Sequence, residues 1–316
     1  MKMFMMLSAL LGSLSAAPAP SDGDVLSLSL YKGKQFTIDA VVAGHRRTFL
    51  FDTGEGITMV SPALAKELGC EPWGNISAFR MLGERLDVKR CDDVAFGMGA
   101  GHYVAPSVIV YDLSEIAGKD APPLDGAVGL DLFAGRTITI QFSRRRVIVE
   151  TSASALRRIQ NAVEVPLRLS RPDGLALDVN LGVKTPRGLA WMELDTGNAG
   201  PTIFVSQAMA PLLGLNPATR EPQNLSVHLA TAELKTRARV FPDMILDGNI
   251  GLQLVRDRDI TLDLKNHRAW LSPPPACPSR LPPRDRNLLV SVSRLLHGML
   301  LPQTGSQCRK TNLQIE

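Results

Sequence analysis

The tripeptide Asp-Thr-Gly occurs twice in this 316-residue chain, as Asp52-Thr53-Gly54 and Asp195-Thr196-Gly197. Each copy ends an apolar run: Thr48-Phe49-Leu50-Phe51 before the first, Leu189-Ala190-Trp191-Met192-Glu193-Leu194 before the second. At ordinary residue usage one copy arises by chance in roughly one chain in ten of this size. Two copies in matching surroundings require a cause, and an internal repeat is a cause that reshapes the reading of the whole fold.

The flanking residues carry the same repeat. Asp125-Gly126-Ala127-Val128-Gly129-Leu130-Asp131-Leu132 aligns without a gap on Asp247-Gly248-Asn249-Ile250-Gly251-Leu252-Gln253-Leu254. The register continues, with Ile138-Thr139 on Ile260-Thr261 and Arg146 on Arg268. After each tripeptide, Val60-Ser61-Pro62-Ala63-Leu64-Ala65 matches Val205-Ser206-Gln207-Ala208-Met209-Ala210. Ahead of it, Phe36 to Val42 parallels Leu175 to Leu181. The chain therefore reads as two related lobes, 24–155 and 160–272, with the seam near 152–164.

Each lobe reads as mostly β, because short runs rich in Val, Ile, Leu, Thr and Phe are separated by Gly, Pro and Asp turn signals. Residues 61–68 and 206–213 are predicted helices: each opens on a capping serine and stops at Gly69 or Gly214. A duplicated β lobe with one aspartate loop per copy would bring Asp52 and Asp195 together. Two adjacent carboxylates cannot both ionise easily, so one is raised and the pair holds a proton. Such a pair suits acid–base hydrolysis.

The tripeptide after an apolar strand, followed by Ala127-Val128-Gly129 in one half and Asn249-Ile250-Gly251 in the other, resembles the pepsin-like and retropepsin-like aspartic proteases. The nearest echo is the bacterial two-lobe retropepsin-like group. The resemblance spans roughly 26–272. It implies an all-β, bilobal acid-protease fold with the site between two homologous β-barrel-like lobes. It further implies an aspartic endopeptidase in which a water molecule is activated by Asp52 and Asp195. Thr53, Gly54, Thr196 and Gly197 would support that dyad. No cofactor or metal is expected, the partner is a protein or peptide substrate, and a monomer suffices because both loops lie in one chain. The alternative is a catalytically inactive, peptide-binding protein of the cell envelope that keeps the fold.

Two departures bear on that choice. Asn249 stands where the family has an apolar residue, and Glu55 follows the first tripeptide where a small residue is usual. Glu55 is open to two readings, a carboxylate that tunes the dyad or a mark of lost activity. The excess length of the first lobe lies between Gly69 and Leu124. By resemblance this holds a flap over residues 76–89, tipped by Met81-Leu82-Gly83-Glu84-Arg85, with Phe79 or Met81 covering substrate in place of the family's tyrosine.

Residues 1–19 have the make-up of a secretory signal peptide: Lys2, an apolar stretch to Leu11, then Ser15-Ala16-Ala17. The expectation is an exported protein, periplasmic or secreted, with no transmembrane segment. Four cysteines then favour disulfides, with 70–91 and 277–308 the economical pairing among three connectivities. The net charge of +4 is interspersed, and Arg144-Arg145-Arg146 falls in an expected turn, so no nucleic-acid partner is expected. Beyond residue 273 a Pro-rich linker leads to a short amphipathic helix around 288–300, and Leu301-Pro302-Gln303-Thr304-Gly305 is a chance match to a sorting signal.

Overall fold

The structure is a computed structural model, and it describes residues 22–118 and 120–273. The signal segment, Cys277, Cys308, the tail helix and the 301–305 match lie outside the described residues.

The repeat meets itself at the centre of the molecule. Strands Thr137–Gln141 and Asp259–Asp263 pair antiparallel, with Thr139 opposite Thr261. These two threonines are repeat equivalents, and their Oγ1 atoms lie 2.9 Å apart in the buried interior. An antiparallel pair that matches a residue with its own copy has a local twofold axis passing between them, so the sequence duplication is also a spatial pseudo-symmetry. Arg146–Val149 and Asp24–Tyr31 extend this sheet on one side, Arg268–Leu271 and Val163–Val165 on the other.

Asp24–Tyr31 bends on into the first lobe. There it pairs with Gln35–Val42, which pairs with His45–Phe51. The second lobe builds a separate sheet from Asp178–Thr185, Gly188–Asp195, Thr202–Ser206 and the hairpin Gln223–Leu229/Ala232–Phe241. The two barrel-like sheets and the sheet they share make the bilobal, all-β architecture expected from the sequence. Burial of alternate side chains holds each lobe: in Gln223–Leu229, Leu225, Val227 and Leu229 are buried while Asn224, Ser226 and His228 are exposed. Phe49 and Phe96 meet edge to face at 5.5 Å in the first core.

The two predicted helices diverge. Pro62–Glu67 is α-helical, and Ser61 Oγ accepts from Leu64 N at 3.1 Å. In the second lobe, strand Thr202–Ser206 runs through Ser206, and only a 3-10 turn, Ala210–Leu213, follows. The cause is proline placement. Pro62 sits at the helix start, where no N–H is needed, whereas Pro211 would fall inside a helix begun at 206, deleting a hydrogen bond and clashing with the preceding turn. The seam carries an unforeseen helix, Ser152–Ile159, closed by a reciprocal cap in which Thr151 Oγ1 accepts from Ser154 N and Ser154 Oγ from Thr151 N.

Cys70 and Cys91 form a disulfide across 21 residues, tying the chain after helix Pro62–Glu67 to strand Arg85–Met98. A loop of this length removes about 3 kcal/mol of unfolded-state entropy. The double variant Cys70→Ser/Cys91→Ser should lose about that much in urea unfolding, and a loss below 1 kcal/mol would contradict it. Among the described residues no helix is long and apolar enough to cross a membrane.

Candidate active site

The same local device presents both aspartates. Strand His45–Phe51 pairs in parallel with Gly126–Val128, and Gly188–Asp195 pairs in parallel with Asn249–Gly251. Asp125 Oδ2 accepts from Thr48 N at 2.9 Å, and its copy Asp247 Oδ2 accepts from Trp191 N at 2.9 Å. Both donors lie four residues ahead of their catalytic candidate. The repeated Asp-Gly is thus a clamp that holds each strand end in place.

The loops then cross. Thr53 N donates to Thr196 Oγ1 at 3.0 Å, and Thr196 N donates to Thr53 Oγ1 at 3.2 Å. Thr53 Oγ1 donates onward to Leu194 O at 2.6 Å. Both threonines are buried. Each glycine lies against the opposite aspartate: a methyl on Gly54 would stand 2.9 Å from Asp195 Oδ1, and one on Gly197 would overlap Asp52 Oδ2. Only glycine permits this approach. Gly197→Ala should therefore force the loops apart and lower the melting temperature by several degrees, a change visible by calorimetry; an unchanged melting temperature would show that the loops are not in contact.

The dyad is asymmetric. Asp52 Oδ1 accepts from Gly54 N at 3.0 Å and Gly197 N at 2.8 Å. Asp195 Oδ1 accepts from Asn198 N at 3.0 Å, and its Oδ2 from Asn249 Nδ2 at 2.7 Å. Burial, and then the charge of Asp195, pushes Asp52 up to about 7. Burial also raises Asp195, but the donors from Asn198, Asn249 and Gly197 stabilise its charged form. Gly54, Gly197 and Thr196 do the same for Asp52, so burial and mutual repulsion leave the pair one proton to share.

More carboxylates crowd this pair. Glu55 is raised well above the ordinary glutamate value by burial and by Asp52, Asp131, Asp178 and Glu193. Glu193, two residues before Asp195, is raised well above its ordinary value by burial and by Asp195, Asp178 and Asp52. Asp178 is raised by burial to about 6, and its Oδ1 lies over Gly56. Asp131, raised by burial to about 6, accepts from Thr58 N at 2.9 Å and Thr58 Oγ1 at 2.7 Å. Among the described residues no His, Cys, Asp or Glu trio is grouped to hold a metal ion.

A hairpin made of Trp73–Phe79 and Arg85–Met98 projects from the first lobe, with Arg80 N donating to Glu84 O at its tip. That tip rests on the second lobe: Ile245 N donates to Met81 O at 3.1 Å, and Gly83 lies against Asp243 and Ile245. Met81 Sδ is 3.7 Å from Asn249 Nδ2. Met81 thus reaches the shell of the dyad, whereas Phe79 is 56% exposed and Leu82 40% exposed. The sequence marked Asn249 only as a departure from the family pattern, and it pointed to neither Asp178 nor Glu193. A polar Asn in an apolar strand was the one available signal; the two carboxylates had none.

No family model matches the chain. No curated protein matches it either. Solved structures do resemble it. Basic 7S globulin from soybean aligns with a TM-score of 0.51 at 10% identity, covering 80% of this chain and 95% of that one. Conglutin gamma, a basic 7S globulin from lupine seeds, gives 0.48 at 10% identity over 79% and 94%. A structure named edgp gives 0.49 at 8% identity over 80% and 96%. At such identities the likeness is one of fold: the chain has an aspartic-protease-like, bilobal architecture.

Proposed function

We propose that this chain is a monomeric aspartic endopeptidase, exported and acting on protein or peptide substrates, of the kind the bacterial retropepsin-like resemblance implies. The observation that carries this reading is the mutual crossing of the Asp-Thr-Gly loops, which sets Asp52 and Asp195 side by side with unequal hydrogen bonding. Asp195, as the ionised member, takes a proton from water while that water attacks the peptide carbonyl. Asp52 donates its proton to the carbonyl oxygen; as the C–N bond breaks, Asp195 passes the proton it took from water to the leaving amine, and Asp52 recovers a proton from the gem-diol hydroxyl as the carboxyl product forms. Buried carboxylates suit this role because their protons are retained close to the working pH.

The second reading is a peptide-binding protein without hydrolysis. Two observations favour it: Glu55 adds a third carboxylate beside the pair, and the soybean protein sharing the fold is named a globulin. Cleavage of an unfolded protein between about pH 3 and 8, a window spanning the split values of a carboxylate pair, separates the two. Cleavage by wild type and not by Asp52→Asn supports the enzyme. Equal cleavage by both overturns the dyad, and peptide binding without cleavage by either establishes the binding protein.

A further inference from the structure

We propose that Asn249 is a positioning residue of the dyad, whose side-chain amide holds Asp195 as its charged member. The inference rests on the aspartic reading above, and it turns an apparent defect of the motif into a working part.

Asn249 has no exposed surface. Its Oδ1 accepts from Phe204 N at 2.8 Å and from Asn198 Nδ2 at 3.3 Å. Two donors on that oxygen define the orientation of the amide, so the nitrogen must face the other way. There Nδ2 meets Asp195 Oδ2 at 2.7 Å, and its remaining hydrogen faces Met81 Sδ at the tip of the projecting hairpin. Every polar position of the side chain is used. The repeat equivalent in the first lobe is Ala127, which offers Asp52 no such donor. An alanine in one copy and an asparagine in the other is therefore one sequence origin of the asymmetry between two repeat-equivalent aspartates.

The surroundings make this donor necessary. The charged groups that act on Asp195 and its neighbours are Asp52 across the axis, Glu193 on the same strand, Asp178 on the adjacent strand, Glu55 after the first loop and Asp131 beyond it, all acids. None of them stabilises a negative charge on Asp195. The Asn249 amide and the Asn198 N–H do so. Removing the amide should let Asp195 keep its proton to higher pH, and a hydrogen bond to a charged group corresponds to a shift of about one pH unit or more.

The test follows the Asp195 carboxyl carbon by NMR in aspartate-labelled protein, assigned with Asp195→Asn, alongside kcat/KM against pH on an unfolded substrate. Asn249→Leu removes the donor. Asn249→Ala also removes it and installs the residue that the equivalent strand of the first lobe carries, Ala127, which guards against loss of the fold. In both variants the Asp195 midpoint and the acid limb of the profile should move upward together by about one unit, with KM little changed. A uniform fall in kcat at every pH, with the midpoint where it is in wild type, would overturn the proposal and leave Asn249 a merely structural residue. The NMR arm needs no turnover. An inactive wild type would thus count against the proposed function, while the midpoint alone would still decide the role of Asn249.

Discussion

Asp52→Asn is expected to lower kcat/KM for an unfolded protein by at least about 10²–10⁴-fold, the range that a positioned acid or base supplies. Asp195→Asn should do at least as much. The two substitutions fail for different reasons. Asparagine at 52 keeps the shape and the hydrogen bonds from Gly54 N and Gly197 N in reach, but it carries no transferable proton. Asparagine at 195 removes the charge that accepts the proton of water. Because each acts in the same step, the double variant should be scarcely worse than either single one. The wild-type profile supplies an independent check: Asp52, raised to about 7 by burial and by Asp195, must be protonated, so activity should fall as pH rises through about 7. On the acid side it should fall as Asp195 gains a proton. A variant at either position that retains wild-type cleavage would end the reading of Asp52 and Asp195 as the catalytic pair.

The second large effect concerns stability and does not depend on turnover. Asp52 at about 7, Asp131 at about 6 and Asp178 at about 6 all lie above the aspartate value of about 3.9 expected in an unfolded chain. Glu55, Glu193 and Asp195 are raised as well. Between about pH 4 and 7 the native state then binds more protons than the unfolded one, so stability falls as pH rises. Stabilisation from these groups is complete below about pH 4 and is lost as pH climbs through 6 to 7. The acids with lowered values, such as Asp87, Asp112 and Glu164, are held down by hydrogen bonds or arginine partners and work in the opposite sense only at lower pH. Coupling within the cluster prevents simple addition, and a net change on the order of 5 kcal/mol corresponds to at least about 10 °C in melting temperature for a chain of this size. Thermal unfolding should therefore give a higher midpoint at pH 4.5 than at pH 7.5. Running Asp195→Asn in parallel excludes self-digestion as a source of the difference. Glu55→Gln should flatten the dependence. A midpoint that rises toward neutral pH would mean that these carboxylates are ionised in the folded protein at no cost.

Much of this site was legible before any coordinates. The pairing of Asp52 with Asp195 follows from the repeat, because a duplicated lobe that closes about a twofold axis must bring equivalent loops to that axis. Thr139 and Thr261, equivalent in the alignment, are paired in space. The clamp by Asp125 and Asp247 was visible as a matched motif, although its purpose was not. Other features were hidden. Asn249 read as an imperfection, since a buried amide in a strand reveals its use only when its acceptor is known. Residues 206–213 read as a helix because serine, alanine and leucine favour one, and the position of Pro211 overrode them.

From the chain alone come the number of lobes, the identity of the two facing aspartates, and the glycines that let them approach. These depend on local pattern and on repetition, which are properties of the sequence order itself. The protonation of the pair arises otherwise. It depends on burial and on the charge that Asp195 brings to Asp52 from the other lobe. The contact of Met81 with Ile245 and Asn249 likewise joins distant segments. Electrostatic energy falls off with distance through space rather than along the chain, so the proton that Asp52 and Asp195 share is a property of the folded pair of lobes.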